Sequence, residues 1–428
     1  MLNRRIIAAA AAVMLTLGMA GCGNTIESRD ITNTVPTTTT VTSGSTETQT
    51  SVPAESVTES AATTTTTAKP ETTTTTTTTT PETTTTTTTT PETTTTTTTT
   101  TAAKTTTTTT TRPRSTGNTS YLPSYGEWVG NIVICDRYEG ERVRGLPPFY
   151  GLNSNAQAFA NVVNSYKQMV GSGVNVYNLG CPLASAYYCP KTITGNNGQK
   201  PCTDQKSNIQ MIGQYLSGVT NVDVYDALAA HVEEYIYTRT DHHWQPLGAY
   251  YAAKEFAAAA GVPFTDISQM TEYKKTGFTG SLYGYSNNAP EFKQYPDTYI
   301  YYKPKNSYTT TYYNSSFTGA QSGTLFYDSL QGSGCYCTIL GNDVNIAEIK
   351  TDVGNGRVLV LIKDSYGNAM VPFFVGSFEK IYVVDFRHVQ VKMKDFFKKV
   401  GATDILFGMS LSSEYADTHI ARMRTIMQ

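Results

Sequence analysis

The stretch from Asn33 to Thr116 most constrains what this chain can fold into, because it holds few apolar residues. A unit of Pro-Glu followed by eight threonines occupies residues 81–90 and recurs at 91–100. Proline breaks helices, and apolar residues do not alternate with polar ones, so this stretch cannot build a packed core. We therefore predict a disordered, threonine-rich stalk over residues 22–120, which would hold a folded domain away from an anchor.

An export signal precedes the stalk. Two arginines within residues 1–5 are followed by an apolar run from Ile6 to Ala20, which is the order of a secretory signal. The run is short for a membrane span and ends Leu-Gly-Met-Ala-Gly-Cys22, which resembles a bacterial lipobox. We predict a lipoprotein signal peptide over 1–21 and a lipid on Cys22. The alternative is simple cleavage beside an incidental cysteine.

Residues 121–428 mix apolar and polar side chains and are numerous enough for one large domain, or for two that share an interface. The formal net charge of the chain is −2, and no long basic run is present. Because affinity for nucleic acid comes largely from neutralising phosphates, we expect no nucleic-acid partner. We also predict no cofactor.

Seven cysteines are present, and one of them, Cys22, is assigned to the lipid. The other six form an even number in an exported domain, which permits up to three disulfides. Cys335 and Cys337 are too close in sequence to pair easily with each other, so we predict that each reaches a separate partner. The candidate partners are Cys135, Cys181, Cys189 and Cys202. A metal site is the alternative, but the chain has no CxxC pair, and we predict no metal.

Buried strands alternate with helices along the domain. The predicted strands are Asn131–Cys135, Val174–Leu179, Arg357–Lys363, Lys380–Asp385 and Asp404–Phe407. Asn155–Val170 has apolar residues at helical spacing, and Pro246–Ala260 is alanine-rich with proline in its first turn. This order predicts an α/β domain over 121–428 with a mostly parallel sheet.

The amino-acid composition changes between about Lys274 and Cys337, where Tyr, Ser, Thr, Gly and Asn dominate. We predict a β-rich or irregular insertion there, at about 274–337. Exposed tyrosines in such a segment could stack on sugar rings. The alternative, which we prefer, is ordinary packing of the insertion onto the sheet.

Two short segments carry residues that suit nucleophilic catalysis. Asp241-His242-His243-Trp244 joins two of the five histidines to a carboxylate, and Ser365 follows the clearest buried strand. A serine hydroxyl becomes a nucleophile when histidine takes its proton, and a carboxylate orients that histidine. Open α/β sheets place their sites at the carboxyl ends of strands, where backbone N–H groups can hold an oxyanion.

Other roles fit the same residues. His242 and His243 could be a structural pair that caps the helix at Pro246, or two zinc ligands, and Ser365 could be a helix N-cap. By composition alone the triad is weak evidence, because any large protein holds such residues.

Four sequence motifs, in the order in which they occur along the chain, resemble those of the DHHW protein family, which is named for Asp-His-His-Trp. They are Tyr237-Thr-Arg-Thr-Asp-His-His-Trp244, Phe278-Thr-Gly-Ser-Leu-Tyr283, Lys363-Asp-Ser-Tyr-Gly-Asn368 with Val371-Pro-Phe-Phe374, and Ile381-Tyr-Val-Val-Asp-Phe-Arg387. That family is similar to the SGNH-hydrolase-like domains of alginate O-acetyltransferases. The resemblance implies an SGNH-like three-layer α/β/α sandwich.

The resemblance also implies roles for single residues. Asp241 would orient the base, His243 would be the base, Ser365 the nucleophile, and Arg387 an accessory or oxyanion residue. The implied function is a cell-surface carbohydrate O-acetyltransferase or acetylesterase that works through an acetyl-serine. The rival is a non-catalytic, glycan-binding adhesin. The expected partners are an envelope or extracellular polysaccharide, the membrane through the lipid anchor and, for a transferase, a membrane protein that supplies acetyl groups. The domain would be displayed on the outer face of the bacterial cell membrane.

Overall fold

An eight-stranded sheet dominates the residues that this computed structural model describes, 121–428. The predicted signal peptide (1–21), the predicted lipid on Cys22 and the predicted stalk (22–120) therefore lie outside the described residues. The strands are β1 (Tyr125–Val129), β2 (Ile132–Cys135), β3 (Arg144–Leu146), β4 (Asn175–Cys181), β5 (Thr192–Thr194), β6 (Thr220–Asn221), β7 (Thr271–Phe278), β8 (Asp297–Lys303), β9 (Tyr308–Tyr313), β10 (Gln321–Gly323), β11 (Ile346–Thr351), β12 (Val358–Lys363), β13 (Lys380–Asp385) and β14 (Asp404–Ser410).

The main sheet has the order β10-β9-β11-β13-β12-β14-β4-β6. Strands β13, β12, β14, β4 and β6 pair with one another in parallel, whereas β11 pairs antiparallel with β13, and β9 and β10 extend the sheet in antiparallel fashion. The predicted α/β class is confirmed, and four of the seven strand pairings in the main sheet are parallel. The antiparallel strands β9 and β10 come from the predicted insertion, where they follow each other without the helical crossover that a parallel pair needs.

Helices cover both faces of the sheet. They are α1 (Asn153–Val170), α2 (Ser185–Tyr188), α3 (Gln205–Tyr215), α4 (Tyr225–Ala229), α5 (Pro246–Ala260), α6 (Leu282–Tyr285), α7 (Pro290–Gln294), α8 (Ser365–Asn368), α9 (Val371–Phe374), α10 (Met393–Val400), α11 (Leu411–Glu414) and α12 (Asp417–Ile426). Short 3₁₀ turns lie at Gly140–Arg142, Asn196–Gly198, Ile267–Gln269 and Gly332–Thr338.

The two helical layers can be assigned from ring contacts on neighbouring strands. Phe407 of β14 packs edge-on against Tyr166 of α1, and Tyr177 of β4 packs edge-on against Phe256 of α5. Phe407 pairs in register with Asn178, so Tyr177 points to the opposite face of the sheet. Helices α1 and α5 therefore lie on opposite faces, which is the three-layer α/β/α arrangement.

Local sequence signals explain the long elements. Helix α5 has the bounds that its sequence predicts, because proline is tolerated in its first turn and Gly261 ends it in a left-handed conformation. Helix α1 ends at Gly171, whose φ is +71°. All six residues of β12 are buried, as a central strand requires. None of the helices between residues 121 and 428 has the length and apolarity that a membrane span needs.

The predicted disulfides from Cys335 and Cys337 to the four other cysteines are not formed. The cysteines found as free thiols are Cys135, Cys181, Cys189, Cys202 and Cys335. Cys335 lies in the Gly332–Thr338 turn near Lys275 of β7, whereas Cys135 and Cys202 both lie near Cys189. The sequence count gave an even number, but the fold distributes these thiols over separate regions, and a disulfide needs close Cα atoms.

Candidate active site

Ser365 lies at the carboxyl end of β12 and is the first residue of α8. The preceding residue, Asp364, caps this turn by accepting the Tyr366 N–H at 3.0 Å. Its other oxygen accepts the hydroxyls of Ser410, the last residue of the neighbouring strand β14, and of Ser413 in the following helix α11, at 2.6 and 2.7 Å. Asp364 thus fixes the turn that carries Ser365 to the adjacent strand.

The segment that carries Asp241 and His243 is a closed loop. An isolated antiparallel bridge between Tyr237 and Trp244 closes it, and α5 begins two residues later. Inside the loop, the Arg239 and Thr240 N–H groups donate to Asp297 at 3.0 and 2.8 Å. Asp297 is fully buried, so these bonds act in a medium where they are strong.

Trp244 connects the loop to the serine turn. Its side chain is fully buried, and its indole N–H donates to the Tyr366 carbonyl at 3.1 Å. In return, the Tyr366 hydroxyl donates to the His242 carbonyl at 2.5 Å. Two reciprocal hydrogen bonds therefore hold together segments that are more than a hundred residues apart in sequence.

These contacts bring Asp241, His243 and Ser365 into one hydrogen-bonded row. His243 Nδ1 lies 2.6 Å from Asp241 Oδ1, and His243 Nε2 lies 2.7 Å from Ser365 Oγ. A carboxylate only accepts hydrogen bonds, so Nδ1 carries the proton and Nε2 is free to accept from the serine hydroxyl. Asp241 and His243 are buried, whereas Ser365 is partly exposed.

Asp241 is held as a carboxylate. Burial alone would raise the pKa of this group, but the neighbouring imidazoles and the Ser281 N–H, which donates at 2.8 Å, hold the pKa well below its ordinary value. Gly280 makes that approach feasible, because a Cβ at this position would lie 2.2 Å from the Asp241 Cβ. The Phe278–Tyr283 motif is therefore part of the site, because its residues Gly280 and Ser281 contact Asp241.

The His243 imidazole is sandwiched between two rings. The Tyr336 ring is stacked at 3.7 Å with an interplanar angle of 9°, and the His242 ring is also centred 3.7 Å away, tilted by 38°. Two rings at this distance cannot share one face, so they cover opposite faces of the imidazole. The buried Tyr336 also donates its hydroxyl to the Ser365 carbonyl at 2.8 Å. Tyr336 thus contacts both the imidazole and the serine backbone.

Arg387 lies in an ion-pair cluster. Its guanidinium donates to both oxygens of Asp385 at 2.8 and 2.6 Å and lies 2.9 Å from Asp343. The fully buried Lys363, which pairs in register with Asp385, donates to the same carboxylate at 2.8 Å. Burial would raise the pKa of Asp385, but these cations hold it well below its ordinary value. No hydrogen bond joins Arg387 to Ser365 within residues 121–428, so the accessory role remains a prediction.

Two groups of side chains in the described region could offer three metal ligands each. The first is Asp241, His242 and His243, and the second is Asp343, Asp385 and His388. In the first group, Asp241 and both nitrogens of His243 are engaged in the hydrogen bonds already described. In the second, both carboxylates are neutralised by ion pairs to lysine and arginine. The donor chemistry of this region therefore favours a hydrogen-bonded site.

Sequence reasoning named the three residues of the row but missed their surroundings. Tyr336 was not predicted as a site residue, because it lies in an irregular turn of the insertion that has no recognisable motif. Gly280 and Ser281 lie inside the Phe278–Tyr283 motif, and the family resemblance of this motif is the sequence feature that could have identified them. Asp364 belongs to the same motif as Ser365, but the sequence did not indicate that it caps the serine turn.

Comparisons with known proteins agree with this architecture. A family model described as "DHHW protein" matches residues 147–384. A crystal structure of a DHHW family protein from Eubacterium siraeum is similar, with 40% sequence identity and a TM-score of 0.65, over 70% of this chain and 97% of that one. None of the curated proteins matches the chain in sequence.

More distant solved structures are also similar. Bacillus cereus PatB1 with a sulfonyl adduct has 17% identity and a TM-score of 0.53, over 69% of this chain and 100% of that one. The O-acetyltransferase domain of Pseudomonas putida AlgJ has 13% identity and a TM-score of 0.37, over 72% and 99% of the two chains. At such identities the PatB1 likeness shows a shared fold.

Proposed function

The chain belongs to the DHHW protein family, and we propose that its described domain is a serine-dependent carbohydrate O-acetyltransferase or acetylesterase. The observation that carries this proposal is the continuous row of hydrogen bonds from Asp241 through His243 to Ser365. A row of carboxylate, imidazole and hydroxyl at these distances is what nucleophilic acyl transfer requires.

In the proposed first step, Ser365 Oγ attacks the acetyl carbonyl and His243 Nε2 takes the hydroxyl proton. Asp241 stabilises the resulting imidazolium through the Nδ1–H bond. The tetrahedral intermediate then collapses, the bond to the leaving alcohol breaks, and His243 returns the proton to that alcohol. The product is an acetyl ester on Ser365.

In the second step, water or an alcohol gives its proton to His243 and attacks the acetyl carbon. The bond to Ser365 Oγ breaks, and the serine recovers its proton from the imidazole. Water yields acetate, whereas a sugar hydroxyl yields an O-acetylated glycan. The Ser365 N–H, at the start of α8, is the proposed oxyanion donor, and Arg387 keeps the accessory role that the family resemblance implies.

The surroundings of the row support activity rather than a structural role. A structural histidine needs one good partner, but His243 has hydrogen bonds at both nitrogens and rings on both faces. The serine also stays partly exposed while its partners are buried. A reactive hydroxyl must meet substrate, so this division of burial fits a nucleophile and its base.

We further propose that the domain works outside the cell. The lipobox-like end of the first 21 residues would place a lipid on Cys22, and the threonine-rich stretch would display the domain on the outer face of the membrane. An envelope or extracellular polysaccharide is the proposed substrate. A membrane protein that supplies acetyl groups is the proposed partner if the reaction is transfer.

Replacing Ser365 by alanine tests the assignment directly. A chromogenic acetyl ester should be turned over by the native protein, and a sulfonyl fluoride should label Ser365, in keeping with the sulfonyl adduct of PatB1. S365A should lose both while its Tm stays nearly unchanged, because only one partly exposed hydroxyl is removed. S154A, at an exposed serine of α1, is the control and should keep both. Retained turnover in S365A would falsify the nucleophile assignment.

The adhesin remains the rival, and the same experiment separates it. Native protein that binds a glycan but neither turns over the ester nor reacts with the probe would be a binding module. The described residues would then use their hydrogen-bonded row for structure alone.

A further inference from the structure

His242 is the ring of the sandwich that solvent reaches. Its side chain keeps about 23% of its surface exposed, whereas Tyr336, on the other face of His243, is buried. His242 therefore covers the more solvent-accessible face of His243, and Ser365, which lies 2.7 Å from His243 Nε2, is also partly exposed. A second substrate that approaches an acetylated Ser365 would meet this ring.

Two contacts fix the orientation of His242. Its Nδ1 lies 2.5 Å from the Ser281 hydroxyl, and its carbonyl accepts the Tyr366 hydroxyl. Its Nε2 has no hydrogen-bond partner among residues 121–428, and this atom is not among their buried, unpartnered polar atoms. That nitrogen therefore contacts solvent in a ring whose position is otherwise determined.

His242 is also neutral at ordinary pH. Burial lowers the pKa of His242 to about 4, and repulsion between the two adjacent imidazoles when both are protonated acts in the same direction. A neutral imidazole offers one donor and one acceptor, which suits a hydroxyl group better than an anion. The chemistry of the exposed nitrogen thus matches a neutral hydroxyl group.

We propose that His242 Nε2 binds the hydroxyl of the acyl acceptor and favours an alcohol over water in the second step. This inference rests on the proposed acetyl-Ser365. The proton of the acceptor passes to His243, its oxygen bonds to the acetyl carbon, and the bond to Ser365 breaks. His242 gains and loses no proton, but it holds the acceptor oxygen near the ester. The protein would then be a transferase whose acceptor class is an alcohol.

Replacing His242 by phenylalanine tests this role, because it keeps a ring against His243 and removes both nitrogens. The donor is p-nitrophenyl acetate and the acceptor is methyl β-glucoside. The nitrophenol burst reports formation of the acetyl-enzyme, and the ratio of acetylated glucoside to free acetate reports its fate. We expect H242F to lower this ratio about tenfold, the size of one lost hydrogen bond, and to lower the burst rate much less.

A matched control is H231F. His231 is also a half-exposed histidine stacked on an aromatic ring, here Tyr251 at 3.6 Å, with a carboxylate on Nδ1. It lies outside the row, so burst and ratio should both match the native values. H242Q, which keeps a polar group on a longer side chain, should retain part of the ratio and serves if H242F does not fold.

The possible outcomes separate the two proposals. A burst with an unchanged ratio in H242F, or in H242Q if only that variant folds, refutes the acceptor role alone. Equal losses of burst and ratio refute it too, because His242 would then act in the first step. A native protein that gives a burst but only acetate also refutes it. A native protein without any burst refutes the proposed function, and this inference fails with it.

Discussion

Replacing Gly280 by alanine should disable the site although Asp241, His243 and Ser365 themselves stay unchanged. An added Cβ would lie 2.2 Å from the Asp241 Cβ and 2.3 Å from its Oδ2. Ordinary contact begins at 3.4 Å, so the two segments must separate by about 1.2 Å. The Asp241 Cβ lies at the base of its side chain, so the clash cannot be relieved by rotating a flexible tip.

The magnitude follows from that displacement. Overpacking a tight interior contact typically costs about 1–3 kcal/mol of unfolding free energy. A misplacement of about 1 Å in a catalytic group can lower the rate by about 100-fold. G280A should therefore fold with a Tm lowered by several degrees, while kcat/KM for a chromogenic acetyl ester falls about 100-fold. Loss of the Ser281 N–H bond to Asp241 would contribute, since the displaced carboxylate cannot keep its 2.8 Å contact.

Gly284 provides the control, because it lies four residues away and an added Cβ there meets nothing within 4 Å. It belongs to the short helix α6, where alanine is intrinsically favoured over glycine. G284A should keep native turnover and an equal or higher Tm. Native kinetics in a folded G280A protein would refute the argument, since they would mean that the Asp241 position does not govern activity.

Two further predictions address Tyr336 and Glu414. Y336F keeps the ring on His243 but loses the hydroxyl that donates to the Ser365 carbonyl, so it should lower the unfolding free energy by about 1 kcal/mol. Y336L also removes the ring, so it should lower kcat/KM more than Y336F does. Equal kinetics in both variants would contradict the stacking role. Burial, reinforced by Asp364, raises the pKa of Glu414 well above its ordinary value of 4.5, and neither carboxyl oxygen accepts a hydrogen bond from residues 121–428. A carboxyl group whose pKa is raised in the folded state loses its contribution to stability as the pH rises above its pKa in the unfolded chain. E414Q should therefore have a higher Tm than the native protein, and the difference should grow above about pH 4.5. Thermal melts from pH 4 to 8 measure this difference, and a constant difference would contradict the prediction.

The sequence was informative wherever the relevant interaction is local. Helix α5 was predicted with its observed bounds because its capping signals lie within a few residues of its ends. Strands β12 and β13 were readable because central strands are continuous apolar runs. The contact of Asp241 with His243 spans only two residues, so a short motif was sufficient to indicate it.

Predictions that depended on distant segments fared less well. The antiparallel strands of the main sheet could not be read from the tyrosine-rich insertion, because pairing partners there are chosen by packing rather than by local pattern. The expected disulfides failed for a similar reason, since an even number of cysteines says nothing about which thiols the fold brings together.

The chain itself therefore determined the α/β class, the Asp-x-His unit and a serine at the end of a buried strand. Tertiary structure decided the rest: that His243 meets Ser365 across 122 positions, that Tyr336 and His242 enclose the imidazole, and that Arg387 is held by Asp385. Local signals act through backbone periodicity and short-range hydrogen bonds. These longer contacts exist only after neighbouring strands are aligned and their connecting loops are packed, so no single segment encodes them.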